Sequence, residues 1–338
     1  MIAFAALALI AGLAVYVATT VEPRDLAGGA TQDLSVKAAS VPSVAAAKAW
    51  INSPPLGRDV LRGKVVVYDF WTYSCVNCVR TIPHLRALYD RYRDAGLVIV
   101  GIHSPEFDFE KDHGNVERAV ARLGVTWPVA LDDDMAIWNA FANQYWPAEY
   151  LTDREGRLRQ VYIGEGNDDQ KESDIRTLLG VPASAPRAAD AGPEQRLTAT
   201  QTPEIHFGLQ YGAASFSSSP EPYVDGTSTF TAPEPVPDDS FALTGQWTIG
   251  NQAATASDPS ASIVLRFHAS EVNIVAGCAS GCALALELDG RALPPVTVTG
   301  DDLYRLVDGV EDGSHTLVLR PGSAGFQAYS FTFGSGTQ

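Results

Sequence analysis

Two cysteines separated by two residues are the most chemically specific feature of this sequence. Cys75 and Cys78 close the run Asp-Phe-Trp-Thr-Tyr-Ser-Cys-Val-Asn-Cys, which follows an apolar stretch and precedes a pattern typical of a helix. At the start of a helix, unpaired N–H groups and the helix dipole stabilise a thiolate on the first cysteine. The second cysteine comes one turn later, within reach of a disulfide. The pair therefore predicts thiol–disulfide exchange.

Two other functions of a cysteine pair are a zinc site and a hydrolase. A zinc half-site would need further ligands, but the remaining cysteines, Cys278 and Cys282, lie far along the chain at a different spacing. A cysteine hydrolase would pair Cys75 with a histidine such as His84 or His103, and would not need a second cysteine. Redox chemistry is the preferred interpretation, with no metal expected.

The elements that position the cysteines alternate between strand and helix over residues 45–180. The apolar runs predict strands at Lys64–Trp71, Leu97–Ile102, Val129–Leu131, Glu149–Thr152 and Leu158–Ile163. The helical patterns cover Val79–Ala95, Asn115–Leu123, Met135–Ala142 and Asp168–Leu179. This order predicts an α/β sheet with helices on both faces.

A second domain follows a linker rich in proline and alanine at residues 181–202. Over residues 203–338 the helical periodicity disappears, and short β-branched or aromatic runs alternate with Gly, Pro and Asp turns. This texture predicts an all-β sandwich with a jelly-roll-like arrangement.

The N-terminus and the overall charge bear on where the protein works. Residues 2–21 contain no charged side chain, and the stretch is long enough to cross a bilayer as a helix. We expect a transmembrane anchor or signal at residues 1–22, an uncleaved anchor being preferred, and a tether at residues 23–44. The net charge of −16 over 338 residues argues against nucleic acid as a partner.

The motifs resemble a known family. Residues 45–180 are similar to the thioredoxin fold in its TlpA-like redoxin branch, and with the β-rich domain the chain resembles the soluble portion of DipZ-type proteins. The cysteine run and the segment Tyr-Trp-Pro-Ala-Glu-Tyr-Leu at residues 145–151 carry the likeness. The resemblance implies a nucleophilic Cys75, a resolving Cys78, and a proton-relaying carboxylate at Asp69. It further implies a site lined by Trp71, Trp146 and Pro147, the last in a cis bond.

The resemblance extends to the second domain through residues 202–208, 242–248 and 327–334. It implies a carbohydrate-binding-module-like sandwich, which could bind a cell-wall glycan through aromatic residues such as Tyr211, Phe216, Tyr223, Trp247 and Tyr304. In an oxidising compartment we expect Cys278 and Cys282 to form a structural disulfide. A second redox pair or two free thiols are the alternatives.

Together these features predict a membrane-anchored, extracytoplasmic thiol–disulfide oxidoreductase that acts as a reductase of protein disulfides. The resemblance implies that a membrane thiol-electron transporter of the CcdA-like kind supplies electrons, and that the only redox group is the cysteine pair itself. Two alternatives stay open. One is a thiol peroxidase, because Thr72 precedes Cys75 at the spacing seen in peroxidases. The other is a glycan-binding protein with a vestigial redoxin domain.

Overall fold

The computed structural model describes residues 30–33, 40–188, 201–311 and 313–334. Its contacts divide the chain into two compact units, Met1–Glu194 and Gln195–Gln338, and the division falls inside the predicted linker. The predicted anchor at residues 1–22 and most of the tether lie outside the described residues. Among the described residues, no helix is long and apolar enough to cross a membrane.

The first unit contains one seven-stranded sheet with the order β1-β7-β6-β3-β4-β5-β2. β3 runs parallel to β4, and β4 runs parallel to β5, whereas the other neighbours are antiparallel. The strands are β1 Ala30–Asp33, β2 Ala49–Ile51, β3 Val65–Trp71, β4 Leu97–His103, β5 Val129–Leu131, β6 Ala148–Thr152 and β7 Leu158–Ile163. The helices are α1 Arg58–Leu61, α2 Val76–Tyr92, α3 His113–Leu123, α4 Ala136–Ala140 and α5 Asp168–Leu179, with 3₁₀ turns at Arg93–Ala95 and Asp108–Lys111.

The central strand β3 is buried along its whole length because helices cover both faces of the sheet. Val65, Val67 and Trp71 point into a core shared with α2, α3 and α5. The alternate residues Val66 and Phe70 point into a second core with α1 and α4. The predicted arrangement of helices on both faces is confirmed.

Helix α2 begins three residues earlier than the apolar pattern indicates, because Cys75 caps it. It contains Pro83 and ends at Tyr92, where a 3₁₀ turn leads to Gly96 in the left-handed region at φ 105°. The sequence does not indicate the three-residue edge strand β2, because so short a run shows no alternation of apolar and polar residues.

The second unit is built from eleven antiparallel strands. They are β8 Ile205–His206, β9 Gly226–Phe230, β10 Ser240–Ile249, β11 Ala254–Ala256, β12 Ser262–His268, β13 Glu271–Gly277, β14 Cys282–Leu288, β15 Arg291–Val298, β16 Asp302–Val307, β17 Ser314–Arg320 and β18 Gln327–Gly334, with 3₁₀ turns at Leu209–Tyr211 and Ala213–Ser215. Nine strands follow the order β15-β14-β17-β12-β10-β11-β18-β13-β16, with β8 joined to β18 and β9 to β10. The all-β prediction is confirmed, but the strands form one continuous sheet around a single core, not two separate sheets.

The continuity comes from β10, which changes partners along its length. Ser240–Thr244 pairs with β12, whereas Gly245–Ile249 pairs with β9 and, at its end, with β11. Gly245 lies at the change with φ 79°, and a Cβ there would come 3.0 Å from the Cα of Ala261. Glycine is therefore required at the point where the strand passes from one half of the sheet to the other.

Candidate active site

Cys75 occupies the N-cap of α2 and is partly exposed. Its Sγ accepts a hydrogen bond from the backbone N–H of Cys78 at 3.3 Å. No acidic residue lies in the first turn of α2, so the N–H groups there face the sulfur without a competing carboxylate. This is the geometry in which a thiolate is stabilised and remains accessible to a substrate.

Cys78 lies behind Cys75 and has no exposed surface. Burial raises the pKa of its thiol well above the usual range, and hydrogen bonding and charge at Cys75 add to the effect. No disulfide joins Cys75 and Cys78 in this structure. Cys75 is thus the more exposed thiol, as a nucleophile must be, and Cys78 is the buried thiol, as expected of the resolving cysteine.

Asp69 lies on β3 on the face covered by α2 and α5, and only 2% of it is exposed. Burial raises the pKa of its carboxyl well above the usual range, Glu149 raises it further, and Lys171 lowers it. Asp69 also raises the pKa of Cys78, so the two groups are electrostatically linked. A buried carboxyl with such a pKa can hold or accept a proton near the resolving thiol.

A fully buried carboxylate, Glu110, supports the loop before Cys75 and was not predicted from the sequence. Its Oε1 accepts hydrogen bonds from the hydroxyls of Thr72 and Ser74, each at 2.5 Å. Its Oε2 accepts from the backbone N–H groups of Glu106 and Phe107 at 2.6 and 2.9 Å. Glu110 therefore fixes the segment that presents the nucleophile. The sequence could not predict this role, because Glu110 lies in the segment after β4 and belongs to no periodic pattern or known motif.

Two further titratable groups surround this loop. Burial and the neighbouring Glu110 raise the pKa of Glu106 to about 8. His103 is fully buried, lies 3.3 Å from the Thr72 hydroxyl, and stacks on Tyr73. Burial lowers its pKa to about 3, so its imidazole is neutral at ordinary pH. Thr72 is thus held by both Glu110 and His103.

The three residues predicted to contact substrate have different surroundings. The Trp146–Pro147 bond is cis, as the resemblance implies. Trp146 is partly exposed, packs against Trp138 at a tilt with ring centroids 4.1 Å apart, and donates from Nε1 to the carbonyl of Ser104. Pro147 is buried. Trp71 is only 2% exposed and belongs to the same core cluster as Cys78; its role in substrate binding stays a prediction.

Two polar side chains of α2 have acidic neighbours. Arg80 pairs with Glu165 at 3.4 Å, and both side chains are largely buried. His84 lies on α2 beside Asp168, at 3.7 Å between Nδ1 and Oδ2. Burial lowers the pKa of His84 to about 4.

The second unit contains the predicted disulfide. Cys278 and Cys282 are bonded, both are nearly fully buried, and both belong to the core of the unit. Of the aromatic residues proposed to stack on a sugar, Trp247 and Tyr223 are buried in the same core, which removes them from that role. The Tyr304 hydroxyl is bonded to the backbone of Gly300.

Comparison with known proteins agrees with both units. A family model described as Redoxin matches residues 41–179, and one described as Thioredoxin like C-terminal domain matches residues 202–334. The thiol-disulfide oxidoreductase YkuV of Bacillus subtilis is 30% identical over 139 residues, which is 93% of its length and 41% of this chain. The chain belongs to the thioredoxin-like thiol–disulfide oxidoreductases.

This oxidoreductase also matches longer proteins over part of their length. The proteins named DipZ of Mycobacterium tuberculosis and Mycobacterium bovis are 38% identical over 313 residues, covering 87% of this chain. The matched region spans only 43% of the length of those relatives. A solved thioredoxin-like protein in its oxidised form is 30% identical, with 42% of this chain and 96% of that one covered and a TM-score of 0.39.

Proposed function

We propose that this oxidoreductase is a reductase of protein disulfides in the cell envelope. The observation that carries the proposal is the asymmetry of the cysteine pair: Cys75 is partly exposed at the helix cap, whereas Cys78 is sealed behind it. Only Cys75 can meet a disulfide of another protein, and only Cys78 is placed to attack the bond that results.

The reaction has two exchange steps. The Cys75 thiolate attacks one sulfur of the substrate disulfide, a mixed disulfide forms, and the other substrate sulfur leaves as a thiolate. Cys78 then gives its proton to the carboxylate of Asp69 and attacks Sγ of Cys75. The Cys75–Cys78 disulfide forms, the second substrate sulfur leaves, and two electrons have passed from the protein to the substrate. The substrate meets Trp146 and Pro147 beside Cys75.

Two features support the cellular setting. A disulfide between Cys278 and Cys282 fits an oxidising compartment, and the uncharged residues 2–21 fit a membrane anchor. In that setting a CcdA-like membrane thiol transporter returns two electrons to the Cys75–Cys78 disulfide, and no further cofactor takes part. Glycan binding by the second unit stays a prediction.

Peroxide reduction is less well supported as the activity. Thr72 is the residue that suggested it, and its hydroxyl is engaged by Glu110 and His103 beneath the loop. A hydroxyl donating to a buried carboxylate is not available to orient a peroxide at Cys75.

Reduction of insulin disulfides by the full chain, with dithiothreitol as electron donor, tests the proposal. We expect turnover by the wild type and none above the uncatalysed rate by Cys75→Ser. Peroxide consumption and binding to cell-wall polysaccharide are measured in parallel. Faster turnover of peroxide than of insulin, or polysaccharide binding without any exchange activity, would contradict the proposal. A reduction potential near that of thioredoxin is expected, and one near that of DsbA would indicate an oxidant instead.

A further inference from the structure

A buried ion pair lies beside the carboxyl group behind the cysteines. In the antiparallel pairing of β3 with β6, Asp69 lies directly opposite Glu149. Side chains at directly opposite positions share one face of the sheet with Cβ atoms about 5 Å apart. Lys171 on α5 donates from Nζ to Oε1 of Glu149 at 2.7 Å. All three residues are at most 2% exposed.

The carboxyl of Asp69 therefore lies next to a carboxyl that is itself paired with a buried ammonium group, in a dry environment. Oδ1 of Asp69 and Oε2 of Glu149 have no hydrogen-bond partner within the described residues. An ionised carboxylate with an unsatisfied buried oxygen is costly, so the arrangement favours a proton on one of the two carboxyls. Glu149 has the short contact to Lys171, so Asp69 is the carboxyl with the higher proton affinity of the two.

The other groups facing this cluster are few. From α5, Asp168 lies 3.5 Å from Lys171, with its side chain about a third exposed. From α2, Cys78 and His84 face the cluster, and the low pKa of His84 keeps its ring neutral near pH 7. From β4, Gly101 pairs with Asp69 and adds no charge. From β7, Tyr162 lies opposite Glu149, its ring is 5.7 Å from Nζ of Lys171, and its hydroxyl donates to Asp174. The charge next to Asp69 is thus set chiefly by Glu149 and Lys171, and these act in opposite directions, Glu149 raising the pKa of Asp69 and Lys171 lowering it.

We propose that Glu149 and Lys171 are positioning residues that set the proton affinity of Asp69, and thereby the pH at which Cys78 resolves the mixed disulfide. The inference rests on the proposed function, in which Asp69 takes the proton of Cys78. Lys171 lowers the proton affinity of Asp69, so that Asp69 can be ionised before resolution. Glu149 raises that affinity, so that the ionised Asp69 can take up the proton of Cys78. Neither residue needs to contact the substrate.

The two residues predict opposite effects when their charges are removed. Glu149→Gln removes a negative charge, so Asp69 ionises more easily and resolution begins at lower pH. Lys171→Met removes the positive charge, so Asp69 holds its proton more tightly and resolution begins at higher pH. The double variant replaces the pair with neutral side chains of similar size, so the two effects oppose each other. A merely structural role would not give shifts of opposite sign.

The test follows the reaction of the reduced full chain with Ellman's reagent by stopped flow. Attack by Cys75 releases one thionitrobenzoate, and attack by Cys78 on the mixed disulfide releases the second. The rate constant of the second phase is measured between pH 5 and pH 9, and its midpoint is the pH at which this rate is half-maximal. A neighbouring buried charge shifts a carboxyl pKa by about one unit or more, so we expect the Glu149→Gln midpoint about one pH unit lower and the Lys171→Met midpoint about one unit higher. The double variant is expected between them.

Two control variants accompany these measurements. Lys171→Arg retains the charge, and Lys48→Met removes a half-exposed lysine paired with Asp134 in the same unit; both are expected to keep the wild-type midpoint. If Lys171→Met does not fold, the proposal is tested by two results: the lower midpoint expected for Glu149→Gln, and the reversal of that shift in the double variant.

Asp69→Asn separates the two proposals. We expect the second phase of this variant to show no midpoint between pH 5 and pH 9, because the carboxyl that accepts the proton of Cys78 is gone. If Asp69→Asn keeps the wild-type profile, the proton-accepting role of Asp69 fails. If Asp69→Asn loses the midpoint but Glu149→Gln and Lys171→Met leave it unchanged, or move it in the same direction, only the positioning role is overturned.

Discussion

At the scale of single residues, exposure divides the work between the two thiols. Cys78 has no exposed surface and a raised pKa, whereas Cys75 is open at the helix cap. We expect iodoacetamide to modify Cys75 at least about tenfold faster than Cys78 at pH 7, the factor that one pKa unit represents. Cys78→Ser should accumulate mixed disulfides with substrates and Cys75→Ser should not, as mass spectrometry after alkylation would show. Faster labelling of Cys78 would reverse the assignment.

A second residue-scale prediction concerns His103, which burial keeps neutral in the folded protein. Its pKa falls to about 3 on folding, whereas an unfolded histidine takes up a proton below about pH 6.5. The unfolded state therefore binds more protons as the pH falls, and stability is lost from about pH 6.5 downward. Between pH 7 and pH 5 this group alone removes about 2 kcal/mol from the free energy of unfolding.

The variant His103→Gln should lose that part of the pH dependence. Urea unfolding of wild type and variant at pH 7 and pH 5 measures the difference, with the exposed His113→Gln as a control. Equal changes in unfolding free energy for wild type and His103→Gln would mean that the imidazole is charged in the folded state.

At the scale of elements, Gly101 allows β4 to pass beneath two tryptophans. A Cβ at this position would lie 3.0 Å from Nε1 of Trp71 and 3.2 Å from Nε1 of Trp127. Gly101→Ala should therefore displace the indole that supports the cysteine loop and destabilise the protein by about 1–3 kcal/mol. Gly57→Ala, where a Cβ meets open space, should cost less, about 0.5–1 kcal/mol, because only the preference for glycine over alanine at the N-cap of α1 is lost. Equal denaturation midpoints for the two variants would show that the tryptophans move aside freely.

The elements that the sequence predicts well are those with long periodic patterns. The helix Asp168–Leu179 and the strand Val129–Leu131 have the predicted bounds, and β3 differs by one residue. In the edge strand β15 the sequence indicates only the last part, Val296–Val298, because Pro294 and Pro295 argue against a strand. Those prolines are tolerated because β15 lies at the end of the strand order, where one side of the ladder is free.

Some residues of the candidate site could be predicted from the sequence and others could not. Cys75, Cys78 and Asp69 are visible because they combine a motif with a charge inside an apolar strand. Glu149 gives a similar signal, a carboxylate within a strand that is buried throughout. Lys171 gives none, since it lies in a helix rich in polar residues, and only the packing of α5 on β6 brings it to Glu149.

At the scale of the whole molecule, the two units have separate cores. The two clusters of the first unit draw on residues 41–188, and the cluster of the second draws on residues 205–333. The redox chemistry described above uses side chains of the first unit alone. Changes confined to the second core should therefore alter its stability without altering the exchange reaction.

The disulfide of the second unit allows that independence to be measured. Cys278 and Cys282 are separated by four positions, so their bond closes a small loop and stabilises the unit by about 2 kcal/mol through loop entropy. Replacing both by alanine avoids placing unpaired hydroxyls in the core. We expect the double variant to fold, to unfold at a slightly lower temperature in calorimetry, and to reduce insulin at the wild-type rate. A folded double variant with lost insulin reduction would instead make Cys278 and Cys282 a relay that feeds electrons to Cys75 and Cys78.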